Sequence, residues 1–281
     1  MKSVTIQVPA TSANLGPGYD ALGVALQIHN RVTVRLSDPV PHPPMPALAA
    51  ASFFETSGLS PFHFDWSIEG EIPQSRGMGS SVTVRLGILH GLNELAGQPL
   101  DSNALFQICA DLEGHPDNAA PAAFGGFTVA RAGSETLRCE VRPELHFVLL
   151  IPDFEVSTPA ARAVLPPTLS HREAAASCAN ACRITAAFTL QRYDLLRGAF
   201  GDGLHQPFRQ HLVPMLPDVT AAGEAAGALG GFLSGSGSTI CCVTLDHAEA
   251  VADAMRAACP TPARTVITNA DNTGTLRLHP D

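Results

Sequence analysis

The chain has 281 residues, 45% of them hydrophobic and 15% charged, enough apolar material for one large core or two modest ones in an ordinary soluble protein. Seventeen Lys plus Arg against 26 Asp plus Glu give a net charge of -9, the wrong sign for a surface that neutralises a phosphate backbone. The single lysine, Lys2, argues at once against a Walker A loop, a protein-kinase strand lysine and a pyridoxal Schiff base.

No run reaches the roughly 18 consecutive apolar residues of a membrane span, and the opening MKSVTIQV alternates like a strand without a signal peptide's apolar block. A cytoplasmic protein without nucleic-acid or membrane partners is the expectation. Seven scattered cysteines with no C-x-x-C pair fit reduced thiols; Cys178 and Cys182 lie one helical turn apart, but without flanking histidines they do not read as a metal site.

In chain order, Val4, Ile6 and Val8 alternate, a polar glycine-bearing loop follows, and Val24 to Leu36 alternate again, which predicts an antiparallel sheet. Asp38 to Met45 carries four prolines and reads as an exposed connection. After Ser81, the spacing of Val82, Leu86, Leu89, Leu92 and Ala96 predicts an amphipathic helix stopped by Gly97. A strand is expected over Leu145 to Ile151, and a helix over about 170 to 200. A glycine hairpin at Leu233 to Thr239, a strand through Ile240 and Val243, a helix from about His247 to Ala258 and a strand near Val266 complete the pattern. A split near residue 155 predicts two α+β halves, 1–155 and 156–281.

The segment PQSRGMGSSVT, from Pro73 to Thr83, sets two glycines and two serines directly before the amphipathic helix. Gly77 and Gly79 let backbone N–H groups approach an anion, and the helix start adds positive partial charge, so such a loop can hold phosphates without lysine. The same residues are also ordinary turn and cap formers, and alone they leave both readings open. Two further segments raise the case: PATSANLGPGYDALG carries Asn14 and Asp20, and EGHPDNAAP clusters Glu113, His115, Asp117 and Asn118. No Ser/His/Asp order stands out, and of eleven histidines only His115 and His205 are pocket candidates.

Here the chain resembles the superfamily of galactokinases, homoserine kinases, mevalonate kinases and phosphomevalonate kinases, and within it the homoserine kinase family. The superfamily's nucleotide loop, Pro-x-x-x-Gly-Leu-Gly-Ser-Ser-Ala, is matched from Pro73 to Val82, with Met78 and Val82 as mild departures. VPATSANLGPGYDALGVAL, LEGHPDNAAPAAFGGF, VSTPAARAVLP and HQPFRQHLVP are similar to homoserine kinases specifically. GGFLSGSGST resembles the terminal glycine motif, with Ser238 where many relatives have proline.

The resemblance implies an α+β, two-domain fold with an N-terminal nucleotide-binding half, a C-terminal ferredoxin-like half and the active site in the cleft between them. It implies ATP and Mg²⁺ as cofactors and L-homoserine as the small-molecule substrate, and leaves a homodimer open. Pro73, Arg76, Gly77, Met78, Gly79, Ser80, Ser81, Val82 and Thr83 are then the nucleotide residues, with Ser81 and Glu113 on the metal. Glu113 lies five residues before Asn118, closer than in some relatives, so a shortened loop must bring it to the same place. Arg162 and Arg209 are the carboxylate candidates because a guanidinium forks onto a carboxylate. Asn14, Asp20, His115, Asp117, Thr158 and His205 complete the substrate set. Asn118 cannot be a general base, so Asn118, Glu113 and Ser81 are expected to act by positioning and electrostatics, with the proton leaving late. Another small-molecule kinase of the superfamily, or a nucleotide-binding regulator without turnover, is the alternative.

Overall fold

The computed structural model describes residues 2–279, so the outer ends of the two expected halves, residues 1 and 280–281, lie outside the described residues. In chain order the elements are β1 (Ser3–Ala13), β2 (Leu22–Leu36), α1 (Pro44–Ser57), β3 (Phe64–Gly70), α2 (Ser80–Leu95), α3 (Ser102–Glu113) and α4 (Ala119–Phe124). Then come β4 (Phe127–Val129), β5 (Leu137–Cys139), β6 (His146–Pro152), α5 (Thr158–Ala163), α6 (His171–Thr189) and α7 (Gln206–Arg209). The chain continues with α8 (Leu216–Ala225), β7 (Gly230–Leu233), β8 (Ile240–Thr244), α9 (Ala248–Ala258), β9 (Ala263–Thr268) and β10 (Leu276–Leu278).

The alternating runs at the start form the β1–β2 antiparallel pair as expected. This pair is the spine of a six-stranded sheet in the order β10-β1-β2-β4-β5, with β3 also on β2. A register shift between Pro9 and Ala10 divides the apolar side chains between two layers. Val4, Ile6, Val8, Val32 and Val34 pack with the apolar faces of α1, α2 and α3. Ala10, Val24, Leu26 and Ile28 pack toward the second sheet.

The second sheet runs β7-β8-β6-β9, all antiparallel. With α8 and α9 it makes the βαββαβ unit of ferredoxin-like folds, α5, α6 and α7 being inserted after its first strand. Strand β6 reads as an unbroken apolar run because both its faces are covered: Phe147, Leu149 and Ile151 join the core shared with the first sheet, Val148 and Leu150 the core under α8 and α9.

Three elements depart from expectation. The proline-rich connection ends at Pro43, and Pro44 and Met45 begin α1, where prolines are tolerated because first-turn N–H groups need no helical partner. Helix α6 stops at Thr189, with Gln191 at φ 53°, and the stretch to 200 holds a separate 3-10 turn at Tyr193–Leu196. The split near 155 does not follow the sheets: β6, before it, lies in the second sheet, and β10 pairs with β1 in the first.

Helix α2 approaches β2 through glycines. A Cβ at Gly91 would lie 2.4 Å from Val34 Cγ2, and one at Gly87 would lie 2.5 Å from Val32 Cβ. By helix propensity alone Gly91→Ala would stabilise by roughly 0.5–1 kcal/mol. Overpacking against a β-branched side chain reverses that sign, so a net loss of about 1–2 kcal/mol is expected, read as a lower urea midpoint at unchanged m-value.

Candidate active site

A cavity of about 550 Å³ opens where the loops after β1, before α2 and after β7 meet. Its shape begins with the segment after β1. Asn14, Leu15 and Asp20 all have positive φ, and the Asn14 side chain holds this turn: Oδ1 accepts from the Asp20 N–H at 3.0 Å while Nδ2 donates to Gly235 O at 3.0 Å.

At one end lies the loop before α2. Gly77 and Gly79 have φ of 70° and 69°, and a Cβ at either would meet Ser234 O or Thr11 Oγ1 at 2.1 or 2.2 Å. Gly79 is the N-cap of α2 and supplies no side-chain cap, so the first-turn N–H groups of a 16-residue helix are left for an anion at the cavity wall. The loop is held from behind: Met78 O accepts from Thr11 N–H at 3.2 Å, Gly77 O from Ser234 Oγ at 2.7 Å, and Arg76 O from Thr239 N–H at 3.2 Å.

Ser81 and Glu113, far apart in sequence, meet at this end. Glu113 is the last residue of α3, and its Oε2 accepts from Ser81 Oγ at 3.1 Å while Oε1 accepts from Arg85. The short link to Asn118 thus still delivers the carboxylate to the loop. Two hard oxygens side by side on the cavity wall suit Mg²⁺.

The other end is charged. Arg162 forks onto Asp20, with Nη2 to Oδ1 at 2.8 Å and Nη1 to Oδ2 at 3.1 Å, and Nη1 also donates to Tyr19 Oη at 2.9 Å. Although burial works against the charge on Arg162, the bond to Asp20 raises its pKa. Arg209 is 2% exposed, donating from Nε to Ala161 O at 2.9 Å and from Nη1 to Gly235 O at 3.1 Å. Among the described residues its Nη2 has no partner. The Tyr19 ring lies under both guanidinium groups, 5.6 Å from that of Arg162 and 5.3 Å from that of Arg209. Burial, with Asp20, raises the Tyr19 pKa, so the phenol stays protonated.

Between the ends lie His115, Asp117 and Asn118. Asp117 is buried and its Oδ1 binds His115 Nδ1 at 2.6 Å. Burial opposes charge on His115, yet this bond raises its pKa overall. Asn118 Oδ1 accepts from Thr11 Oγ1 at 2.7 Å, which fixes the amide, and Nδ2 makes a long hydrogen bond to Asp117 Oδ1 at 3.4 Å. Thr158 opens α5 on the cavity wall.

Of the residues singled out in the sequence, Asn14, Asp20, Arg76, Gly77, Met78, Gly79, Ser80, Ser81, Glu113, His115, Asp117, Asn118, Thr158, Arg162 and Arg209 line this one cavity. Four do not. Pro73 precedes the lining; Val82 packs in the core beneath α2; Thr83 is buried, accepting from Asn30 Nδ2 and donating to Ser80 O. His205 is fully buried beneath Arg209, donating from Nε2 to Gly16 O at 2.8 Å and receiving Arg209 Nη1 on Nδ1 at 3.2 Å. Arg76, though at the wall, turns its guanidinium to Pro152 O, Gln74 O and Glu155. The sequence reading missed Thr11, Tyr19 and Arg85, whose roles are contacts over long sequence separations. It also missed the apolar wall of Pro43, Met45, Pro46, Trp66 and Val84, three residues of which lie in the proline-rich stretch at the start of α1.

Comparison with known proteins agrees with this architecture. Residues 46–126 match the GHMP kinases N terminal domain and residues 184–261 the GHMP kinases C terminal family. A homoserine kinase of Deinococcus radiodurans is 38% identical over 85% of this chain and 83% of its own. One from Gloeobacter violaceus is 37% identical over 91% and 92%. A crystal structure of homoserine kinase from Cytophaga hutchinsonii superposes with a TM-score of 0.91 at 25% identity, covering 99% of this chain and 98% of that one. A mevalonate kinase at 12% identity, TM-score 0.73 over 95% of this chain and 99% of its own, shares the fold.

Burial and the facing Arg209 charge lower the His205 pKa from 6.5 to about 4, against the pull of Asp202. Above pH 6.5 the ring is neutral folded or unfolded, and its neutral-state hydrogen bonds stand. As pH falls toward 4 only the unfolded chain takes the proton, so stability is lost over that window, on the order of a few kcal/mol. His115, shifted the other way, works against this limb, so slopes are compared between variants. His205→Gln is expected to flatten the decline of the urea midpoint between pH 6.5 and 4.

Proposed function

This chain belongs to the homoserine kinase family of the GHMP kinases, and from that premise we infer that it transfers the γ-phosphoryl group of ATP to the side-chain hydroxyl of L-homoserine. The products are ADP and O-phospho-L-homoserine, a step toward threonine. One observation carries the reading: a single cavity has an uncapped helix start behind a glycine loop at one end and an Asp–Arg pair with a second buried arginine at the other. Among the described residues no helix is long and apolar enough to cross a membrane. The cytoplasm, and a homodimer, belong to this reading and rest on the family alone.

Backbone N–H groups from Gly77 to Ser81 would cradle the phosphates, and the Met45, Pro46, Trp66 and Val84 wall would cover the base. Ser81 Oγ and the Glu113 carboxylate would hold Mg²⁺, which when bound neutralises phosphate oxygens.

Homoserine is a zwitterion at neutral pH, and the charged end suits it by exchange. Its ammonium would take Asp20, and its carboxylate would take Arg162 and the free Nη2 of Arg209. Each charge that enters replaces one already present, so no charge is left unpaired. A ligand with one charge would separate Asp20 from Arg162 and repair only half of the break.

The hydroxyl oxygen then forms the new bond to the γ-phosphorus as the bond to the β,γ-bridging oxygen breaks, and the hydroxyl proton leaves late, onto an oxygen of the transferred phosphate. Asn118, its amide fixed by Thr11 and its Nδ2 held by Asp117 Oδ1 only at 3.4 Å, would turn Nδ2 to the transferring group. Asp117 already binds His115, and its role is to hold that ring. Catalysis by alignment suits a loose transition state, whose nucleophile needs little activation.

The test is ADP release from ATP and Mg²⁺ with L-homoserine, beside mevalonate, 4-hydroxybutyrate, which lacks the ammonium, and homoserinol, which lacks the carboxylate. Homoserine-dependent release is expected, with each one-charge analogue down by roughly 10⁴-fold in kcat/KM. Release with mevalonate alone would overturn the charged-end assignment, and release with none would favour a regulator. Asn118→Ala is expected to lower kcat by about 10²-fold with little change in the KM for ATP; near-normal turnover would remove Asn118 from the mechanism.

A further inference from the structure

Arg85 is the feature the reaction does not account for. It lies on α2 one turn after Ser81, on the same helical face, with a side chain only 15% exposed. The cavity wall includes Ser81, Val84 and Glu113 but not Arg85. The guanidinium therefore reaches Glu113 from behind, from between α2 and α3. Glu113, 10% exposed, has one carboxylate oxygen on Ser81 and the other on Arg85. Arg85 Nε is buried with no hydrogen-bond partner. An arginine kept largely out of water with one donor unsatisfied is unfavourable unless its charge answers another, and that charge is the Glu113 carboxylate.

We propose that Arg85 is a resident counter-cation for the metal-binding carboxylate: it holds Glu113 in place and aimed at Ser81 while no metal is bound, and thereby weakens the binding of the metal–nucleotide complex. This rests on the assignment of Glu113 to Mg²⁺. The sign follows from a cycle. Without metal, Arg85 alone balances Glu113. With a dication on the carboxylate, the guanidinium shares its partner and faces a second positive charge. Arg85 thus stabilises the metal-free form more than the loaded one, and by reciprocity its removal tightens metal binding. Arg85 is a positioning residue in this scheme, since it bonds Glu113 but does not itself line the cavity at either end.

The experiment measures two things on the full chain: the Tm without metal, and the Kd for Mg²⁺·ADP by calorimetry. Arg85→Met is expected to lower the metal-free Tm and to tighten Mg²⁺·ADP binding roughly fivefold, while metal-free ADP binding is unchanged. Arg85→Gln, which keeps a donor without the charge, should move both in the same direction by less, and stands in if Arg85→Met fails to fold. Arg85→Lys should stay near the parent. A lower Tm with an unchanged or weaker Kd for Mg²⁺·ADP in Arg85→Met or Arg85→Gln would show a structural role only and overturn the proposal. Glu113→Gln separates the two ideas: it should weaken Mg²⁺·ADP and leave metal-free ADP unaffected. If it leaves Mg²⁺·ADP unaffected as well, the metal assignment itself fails, and the proposal with it.

Discussion

The two sheets meet the cavity through one stitched loop, and most of the site's geometry follows from that seam. Gly77 and Gly79 are squeezed between the end of β1 and the turn from Ser234 to Thr239, at distances no side chain could occupy. Ser12 and Ser234 share a buried hydroxyl contact at 2.8 Å, and the Gly235 N–H reaches Ala13 O at 3.1 Å. The backbone that faces outward as an anion cradle is the same backbone whose carbonyls are fastened inward. Rigidity there is a consequence of close packing between two separately built sheets, and it presents N–H groups already oriented, so little ordering remains when a phosphate arrives.

Charge is handled at both ends of the cavity by the same device. Two of the three carboxylates on the cavity wall have an arginine already in place, Asp20 with Arg162 and Glu113 with Arg85, while Asp117 has His115. The difference is in position. Arg162 is partly exposed and can itself accept a ligand, whereas Arg85 lies behind its partner. The first pair is open to exchange and the second to sharing, which separates a place for a zwitterion from a place for a cation.

Much of this was legible in the residues. The alternation of β1 and β2 and the helix after Ser81 are local periodic patterns, while β6 is an unbroken apolar run whose short length suits a buried strand. The glycine and serine loop, and the family-like segments around Asn14, Glu113, Arg162 and Arg209, marked which stretches would converge. What the pattern could not supply was direction. His205 and Arg209 stand one turn apart, yet one is buried as a support and the other reaches the cavity, because the fold buries the ring against Gly16 O. Thr83 follows the loop motif without interruption, but helical rotation turns it inward to Asn30. Thr11 and Arg85 carry no motif at all: a threonine in a strand and an arginine in a helix gain meaning only from partners 107 and 28 residues away.

Strand β10 has an implication for how the protein is made. Leu276, Arg277 and Leu278 pair with Gln7, Ile6 and Thr5, and just before them the Asp271 carboxylate binds His29 at 2.7 Å. The sheet begun by β1 is thus completed by residues made some 270 positions later. Until then β1 has one side unpaired, an open edge next to strongly apolar alternation. At roughly 5–20 residues per second that edge persists for tens of seconds. Nascent chains are therefore the form of this protein most exposed to misassociation, and a chain cut short before residue 276 would keep that liability permanently.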